Sequence, residues 1–231
     1  MSSRYVLPAL VALLGGCGKD TGPSHFPLEP GLRWTYQVSV EVGNDRQMLT
    51  LTESNSDTVD LNGIAHTVRV TDQGTRYYLA ETEQGVFRSA KRTIVETRPR
   101  RDDDPRWVLK QPYQVGTSWS QETHPYVLRR IHPYTEKLAR SINFKMAYQI
   151  GALDDTVEVP AGRFEHCIRV DGEAQLSIYA DGRTGYQDID INTTEWYAPG
   201  VGLVKLERNE PLTGEVFAGG RIVLELEQFG E

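Results

Sequence analysis

The sequence is short of cysteine, of long apolar runs and of positive charge. Two cysteines occur in 231 residues, Cys17 and Cys167. A disulfide-dense scaffold is therefore excluded, and the fold has to rest on a packed core. No apolar run reaches the ~18 residues that cross a bilayer as a helix, which excludes a polytopic helical membrane protein. Acidic residues outnumber basic ones, 32 to 25, for a formal net charge of −7. That is the wrong sign for a phosphate-backbone binder, so no nucleic-acid partner is expected. Signatures of chemistry are missing too. There is no Gly-x-Ser-x-Gly elbow, no His-Glu-x-x-His, no Gly-x-Gly-x-x-Gly and no Walker pattern. The expectation is a protein that is not an enzyme and carries no cofactor and no metal. Helix signals are also few. Residues 134–141 contain good helix formers, and that short segment reads equally well as helix, strand or loop.

What is present fits one ordinary globular domain, with 39% apolar and 25% charged residues. The N-terminus reads as an address. Arg4 supplies positive charge, residues 6–14 a short apolar core, and Gly15 and Gly16 small residues before Cys17. These are the parts of a secretory signal. Leu14-Gly15-Gly16-Cys17 resembles the bacterial lipobox. That resemblance implies cleavage after residue 16, with lipid on the sulfur and new amine of Cys17 and the membrane as partner through that anchor. Gly18 stands where an Asp marks inner-membrane retention in such lipoproteins, so the resemblance implies the outer membrane, facing the periplasm. Residues 17–25 then form the lipidated start and a polar tether. From Gly18 to Ser24 it spans at most ~25 Å. Lipidation leaves Cys167 without a disulfide partner in the mature chain.

Residues 26–231 read as a single all-β domain. From Arg33 the pattern alternates strictly: Trp34, Tyr36, Val38, Val40 and Val42 are apolar, with polar residues between them. That is a strand with one buried face. Asn62-Gly63 is a hairpin signal, and Ile222, Leu224 and Leu226 share a face near the C-terminus. The chain also resembles itself. Pro27, Gly31 and Trp34 recur as Pro112, Gly116 and Trp119. His66-Thr67-Val68-Arg69-Val70 recurs as His166-Cys167-Ile168-Arg169-Val170, and Tyr77-Tyr78-Leu79-Ala80 as Glu195-Trp196-Tyr197-Ala198. The expected architecture is a curved antiparallel sheet, open barrel or sandwich. It is built from two similar halves, residues 26–97 and 107–208, plus a C-terminal strand. Between the halves, residues 98–106 mix both charges with two prolines and read as a solvated loop tip.

Two stretches carry a family likeness. Val157-Glu158-Val159-Pro160-Ala161-Gly162-Arg163-Phe164 and Trp196-Tyr197-Ala198-Pro199-Gly200-Val201-Gly202-Leu203-Val204 resemble, with Gly31-x-x-Trp34, a group of bacterial β-rich envelope lipoproteins of unknown function. The resemblance implies a β-rich fold and no particular activity. The motifs themselves read as turns and core plugs.

The remaining candidates for chemistry have plain structural readings. His166 and Cys167 are neighbours on a strand and point to opposite faces, which argues against a catalytic pair. His124 and His132 each precede a proline and supply two ligands where a transition metal needs three or four. Asp188, Asp190 and Asn192 fail the calcium-loop pattern at Thr193 and Pro199, and read as the outer face of an acidic edge strand. Aromatics are dense between residues 107 and 148, and they suit either a filled core or a ligand-lined cavity. The leading expectation is a binding module taking a small apolar ligand or lipid on its concave face, with Trp34, Tyr36, Val38, Trp119 and Phe164 as candidate ligand residues. The alternatives are an interaction lipoprotein that docks to an envelope protein, and a hydrolase without a recognisable motif.

Overall fold

The computed structural model describes residues 22–231. The signal peptide, the lipidated Cys17 and most of the tether read from the sequence lie outside the described residues. The first half of the chain forms β1 (Arg33–Val42), β2 (Asp45–Leu61), β3 (Ile64–Thr71), β4 (Arg76–Thr82), β5 (Gly85–Arg92) and β6 (Arg100–Lys110). The second half opens with β7 (Ser118–Thr123). The two-residue strands β8 (Arg129–Arg130) and β9 (Glu136–Lys137) follow. It ends with β10 (Phe144–Val159), β11 (Gly162–Asp181), β12 (Gly185–Ala198), β13 (Gly202–Thr213) and β14 (Phe217–Gly230).

All of these strands belong to one antiparallel sheet, as the alternating sequence requires. Its order runs β6-β5-β4-β3-β2-β1-β14-β13-β12-β11-β10-β7. The ten residues of β1 pair with β2 on one side and β14 on the other, so the two ends of the chain meet in mid-sheet. At the opposite side β6 and β7 approach each other without a ladder and leave a seam. The result is a curled, nearly closed barrel of two six-strand halves, with β8 and β9 as a small addition on β14. The internal echoes fall on equivalent strands. Trp34 and Trp119 sit on the first long strand of each half, His66 and His166 on the third, and Tyr77-Tyr78 and Glu195-Trp196 on the fourth. The C-terminal strand is the sixth of the second half rather than an appendage.

Turn chemistry agrees with the sequence at Asn62-Gly63, where both residues have positive φ, 62° and 80°. That is the pair of left-handed conformations a type I′ hairpin demands. Two expectations change, and one left open is resolved. Residues 100–106 are not a loop tip but the first part of β6. Arg88 on β5 grips Asp102 through two hydrogen bonds of 2.8 and 2.7 Å, which ties the charged segment into the sheet. Edge position explains why a strand there tolerates Pro105 and so many charges. Residues 134–141 hold β9 and a 3-10 turn, Leu138–Arg140, with Leu138 plugged into the core. Asp188 and Asp190 do alternate with buried Ile189 and Ile191, but β12 is an inner strand of the sheet order. Its ladder to β13 begins only at Asn192, so the acidic stretch behaves locally as an edge.

The interior has two main apolar clusters. The larger joins Trp119, Phe144, Met146, Tyr148, Ile150, Ile168, Ile191, Tyr197 and Phe217 to Phe26 of the N-terminal strap. The second holds Trp34, Tyr36, Val38, Val157, Val159, Cys167, Val204 and Leu226. Here the turn at Pro160-Ala161-Gly162 folds onto β14, with the Ala161 N–H donating to the Leu226 carbonyl at 2.9 Å. Truncating a core aromatic such as Trp34 to Ala costs about 3–5 kcal/mol in sites of this kind.

Candidate functional site

The five ligand residues chosen from the sequence are core residues. Trp34, Tyr36 and Val38 are buried in the second cluster, and half-buried Phe164 packs against it. Their polar tips are spent inside the fold. The Trp34 indole N–H donates to the Val201 carbonyl at 2.7 Å and the Tyr36 hydroxyl to the Leu203 carbonyl at 3.0 Å. Trp119 is buried in the larger cluster, its ring stacked on Tyr148 with centroids 5.7 Å apart. None of the five is among the residues that wall the cavity beside the seam.

The candidate site lies instead beside the seam. An open cavity of about 230 Å³ is walled by β4, β5 and β6 on one side and β7, β10 and β12 on the other. Tyr77 and Leu79 come from β4, Arg88 from β5, and Arg106, Trp107 and Val108 from β6. Gln121 and Thr123 come from β7, Tyr148 from β10, and Glu195 and Tyr197 from β12. Tyr126 closes the wall from the segment after β7. Register explains how strands so distant in sequence converge. Arg88 lies opposite Arg106, and Tyr148 opposite both Trp119 and Gly172. Cross-strand partners share a face. Gly172 is needed there, because a Cβ would stand 2.9 Å from the Tyr148 ring and 2.5 Å from the Thr193 methyl.

The cavity is polar in an unusual way. Arg88 is satisfied by Asp102, both side chains being largely buried, and its guanidinium also lies 5.5 Å from the Tyr77 ring. Arg106 is half-buried and has no hydrogen-bond or ion-pair partner among the described residues. Burial and the neighbouring Arg88 charge both lower its pKa, a sign that the cation is poorly accommodated. The Gln121 amide oxygen is buried without a hydrogen-bond partner. Glu195 accepts a hydrogen bond from the Tyr197 hydroxyl, and burial raises the pKa of both groups. Glu195 keeps some accessible surface although it is far from the outer surface, because it faces the cavity. Tyr148 is pushed up by burial and by Glu195.

The wall at Tyr126 is fixed by a buried ion pair. Arg208 and Glu210, 1% and 0% exposed, meet at 2.8 Å. The Glu210 carboxylate accepts the backbone N–H groups of Tyr126, Val127 and Leu128 at 2.7, 2.9 and 2.8 Å. Arg208 donates to the His124 carbonyl and lies 4.0 Å from the Tyr126 ring. Three donors on one carboxylate offset the cost of burying that charge. His124 is thus a loop anchor, its pKa lowered mainly by burial. Among the described residues no group of three His, Cys, Asp or Glu is placed to hold a metal. Cys167 is buried, with its pKa pushed up to about 11 by burial and by Asp155. The exposed His166 side chain instead meets Asp154.

One signal for part of this site was available in the sequence. On β12 the inward series Ile189, Ile191, Thr193, Glu195, Tyr197 places an acid on the buried face. Arg106 gave no such signal, because it stands within a charged run.

No family model matches the chain, and no curated protein matches it. Two solved structures are similar in chain course. One is a protein from Bacteroides fragilis described as exported and as having a YmcC-like fold, with 14% identity and a TM-score of 0.42, covering 90% of this chain and 100% of that one. The other is a protein from Parabacteroides distasonis described as a lipoprotein, with 13% identity and a TM-score of 0.40, covering 92% and 100%. Both are distant likenesses.

Proposed function

We propose that this chain is a lipid-anchored envelope protein that holds a small ligand at the seam of its barrel and performs no chemistry on it. The anchor reading rests on Cys17 and the residues before it. Outer-membrane placement rests on Gly18 alone. The ligand reading rests on one observation: beside the seam lies a cavity whose walls carry Arg106 without a bonded partner and an unpartnered Gln121 oxygen. Leaving such groups unsatisfied in the free protein costs stability, and a site built to bind can tolerate that cost. The ionisable groups in its walls are arginines, tyrosines and one carboxyl tied to a tyrosine. That set positions and recognises without supplying an activated nucleophile.

The second reading, an interaction lipoprotein, is favoured by Tyr179 and Tyr186. They stand 51% and 73% exposed on the β11–β12 hairpin with ring centroids 5.4 Å apart. Native mass spectrometry separates the two. Residues 18–231 are exported to a bacterial periplasm behind a plain signal peptide and sprayed intact. An extra mass that leaves on unfolding is the expected result. A bare mass in every preparation overturns the ligand reading and turns the search to partners that crosslink at the tyrosine pair. For the anchor, Cys17→Ser in the full chain is expected to abolish labelling by a radioactive fatty acid.

A further inference from the structure

We infer that the seam cavity takes a planar organic monoanion, a carboxylate on a ring-shaped body, with its acid group against Arg106. This inference rests on the reading of the cavity as a ligand site and names the chemistry of the occupant.

Three observations lead to it. The first is a charge count. Of the two arginines in the wall, Arg88 is bonded to Asp102, and Arg106 feels the same carboxylate only at longer range and makes no hydrogen bond or ion pair among the described residues. One half-buried guanidinium therefore remains without a bonded carboxylate, and a ligand carboxylate supplies one. A guanidinium presents a planar fork of donors that fits a carboxylate in two parallel hydrogen bonds. A dianion such as a phosphate monoester would bring a second charge that no free cation answers, into a cavity that also holds the Glu195 carboxyl.

The second observation is shape. Tyr77, Trp107, Tyr148 and Tyr197 give the cavity flat apolar walls. Two of these rings are braced from behind, Trp107 by Phe87 with centroids 5.4 Å apart and Tyr148 by stacked Trp119. Braced rings cannot swing to follow a flexible chain. They favour a flat body that stacks. At about 230 Å³ the space is below the ~300–1,000 Å³ of sites for drug-sized molecules, so the body is small.

The third observation is Gln121. Its amide oxygen is a buried acceptor with no partner, and it lines the same cavity. A hydroxyl or N–H on the ring would satisfy it. A ligand with an acid at one end and a donor at the other thus answers both unpaired groups at once, which neither a plain hydrocarbon nor an acyl chain does.

The experiment uses the full-length lipidated protein in lipid nanodiscs, with empty nanodiscs as the blank. Four probes are titrated by calorimetry: 6-hydroxy-2-naphthoate, 2-naphthoate, 2-naphthamide and 2-naphthyl phosphate. The hydroxy acid is expected to bind best, the plain acid next, and the amide and the phosphate at least tenfold more weakly than the plain acid. Arg106→Gln is expected to weaken both acids at least tenfold and leave the amide unchanged. Arg106→Lys should fall between. Removing a half-buried cation that has no bonded partner does not threaten the fold, so Arg106→Gln is expected to melt at or above the native temperature.

Equal binding of acid and amide, or acids indifferent to Arg106→Gln, overturns the monoanion while the cavity stands as an apolar ligand site. Tighter binding of the phosphate overturns the charge count. Should all four probes fail, the inference falls. If in addition Trp107→Ala leaves the native mass spectrum unchanged and free of ligand, the ligand-site reading falls with it.

Discussion

Glu195 makes the stability of this interior depend on pH. In the unfolded chain a glutamate gives up its proton near 4.5; buried here against Tyr197, it holds the proton to higher pH. Between the two values the folded state binds the extra proton. Stability from this group is therefore fully present below about 4.5 and is lost as pH rises through the folded value. Glu53, opposite Trp34 on β2, has the same sign, since burial outweighs the help of Arg69. Asp181 and Glu96 run the other way, their pKa values lowered by turn hydrogen bonds, so the raw curve of the protein mixes both trends. A difference measurement isolates Glu195. Glu195→Gln keeps an acceptor for the Tyr197 hydroxyl and cannot ionise. Its urea midpoint should match the native one below about pH 4.5 and exceed it increasingly as pH is raised above that. A gap that stays constant across that range would mean that Glu195 is solvated in the native state.

At the scale of elements, the N-terminal strap before β1 is held by polar groups as much as by apolar ones. The Asn55 amide donates to the carbonyls of Pro27 and Glu29, at 3.2 and 3.0 Å, and the Thr67 hydroxyl to that of Leu28 at 2.7 Å. Arg69 donates to Asn55 and to Pro27, and its guanidinium lies between the rings of Phe26 and Trp34, 4.3 and 4.1 Å from their centroids. Asn55→Ala strips two carbonyls and Arg69 of a shared partner, at a cost of about 1–3 kcal/mol. Limited proteolysis read by mass should then show new, fast cuts confined to residues 22–32. Cuts spread evenly over the strands would show that the strap is no separate unit. None of this network was legible in the sequence, because Asn55 and Arg69 look like outward polar residues of an alternating strand. What was legible had local causes: the alternation of β1, the Asn62-Gly63 turn, and the echoes that fall on equivalent strands of two halves. β6 was hidden because an edge strand carries the charge and proline of a loop. The cavity was hidden because Arg106, Gln121 and Glu195 come to line one space only through barrel closure. The aromatic residues selected from the sequence were conspicuous because they fill the core.

At the scale of the whole molecule, the strap fixes which end of the barrel the tether leaves. The Gly200 N–H donates to the Ser24 carbonyl at 2.8 Å, so the Pro199-Gly200 turn lies beside the start of the folded body. β1 runs away from that end, and its ten residues carry the chain ~33 Å along the strand to the Gly43-Asn44 hairpin. The polar tether from Cys17 is shorter than that, at most ~25 Å when straight. If Cys17 is lipidated, the turn at Pro199 faces the bilayer and the hairpin at Asn44 faces away from it. Fluorophores on Pro199→Cys and Asn44→Cys, each in the full lipidated chain, report this in vesicles that carry a headgroup quencher. The native thiol at Cys167 interferes little, because it is buried and its pKa is pushed up to about 11, leaving almost no thiolate to label near neutral pH. The expected outcome is strong quenching at Pro199→Cys and weak quenching at Asn44→Cys. With Cys17→Ser both labels should escape the quencher. Equal quenching of the two labelled lipoproteins would mean that the barrel lies on its side.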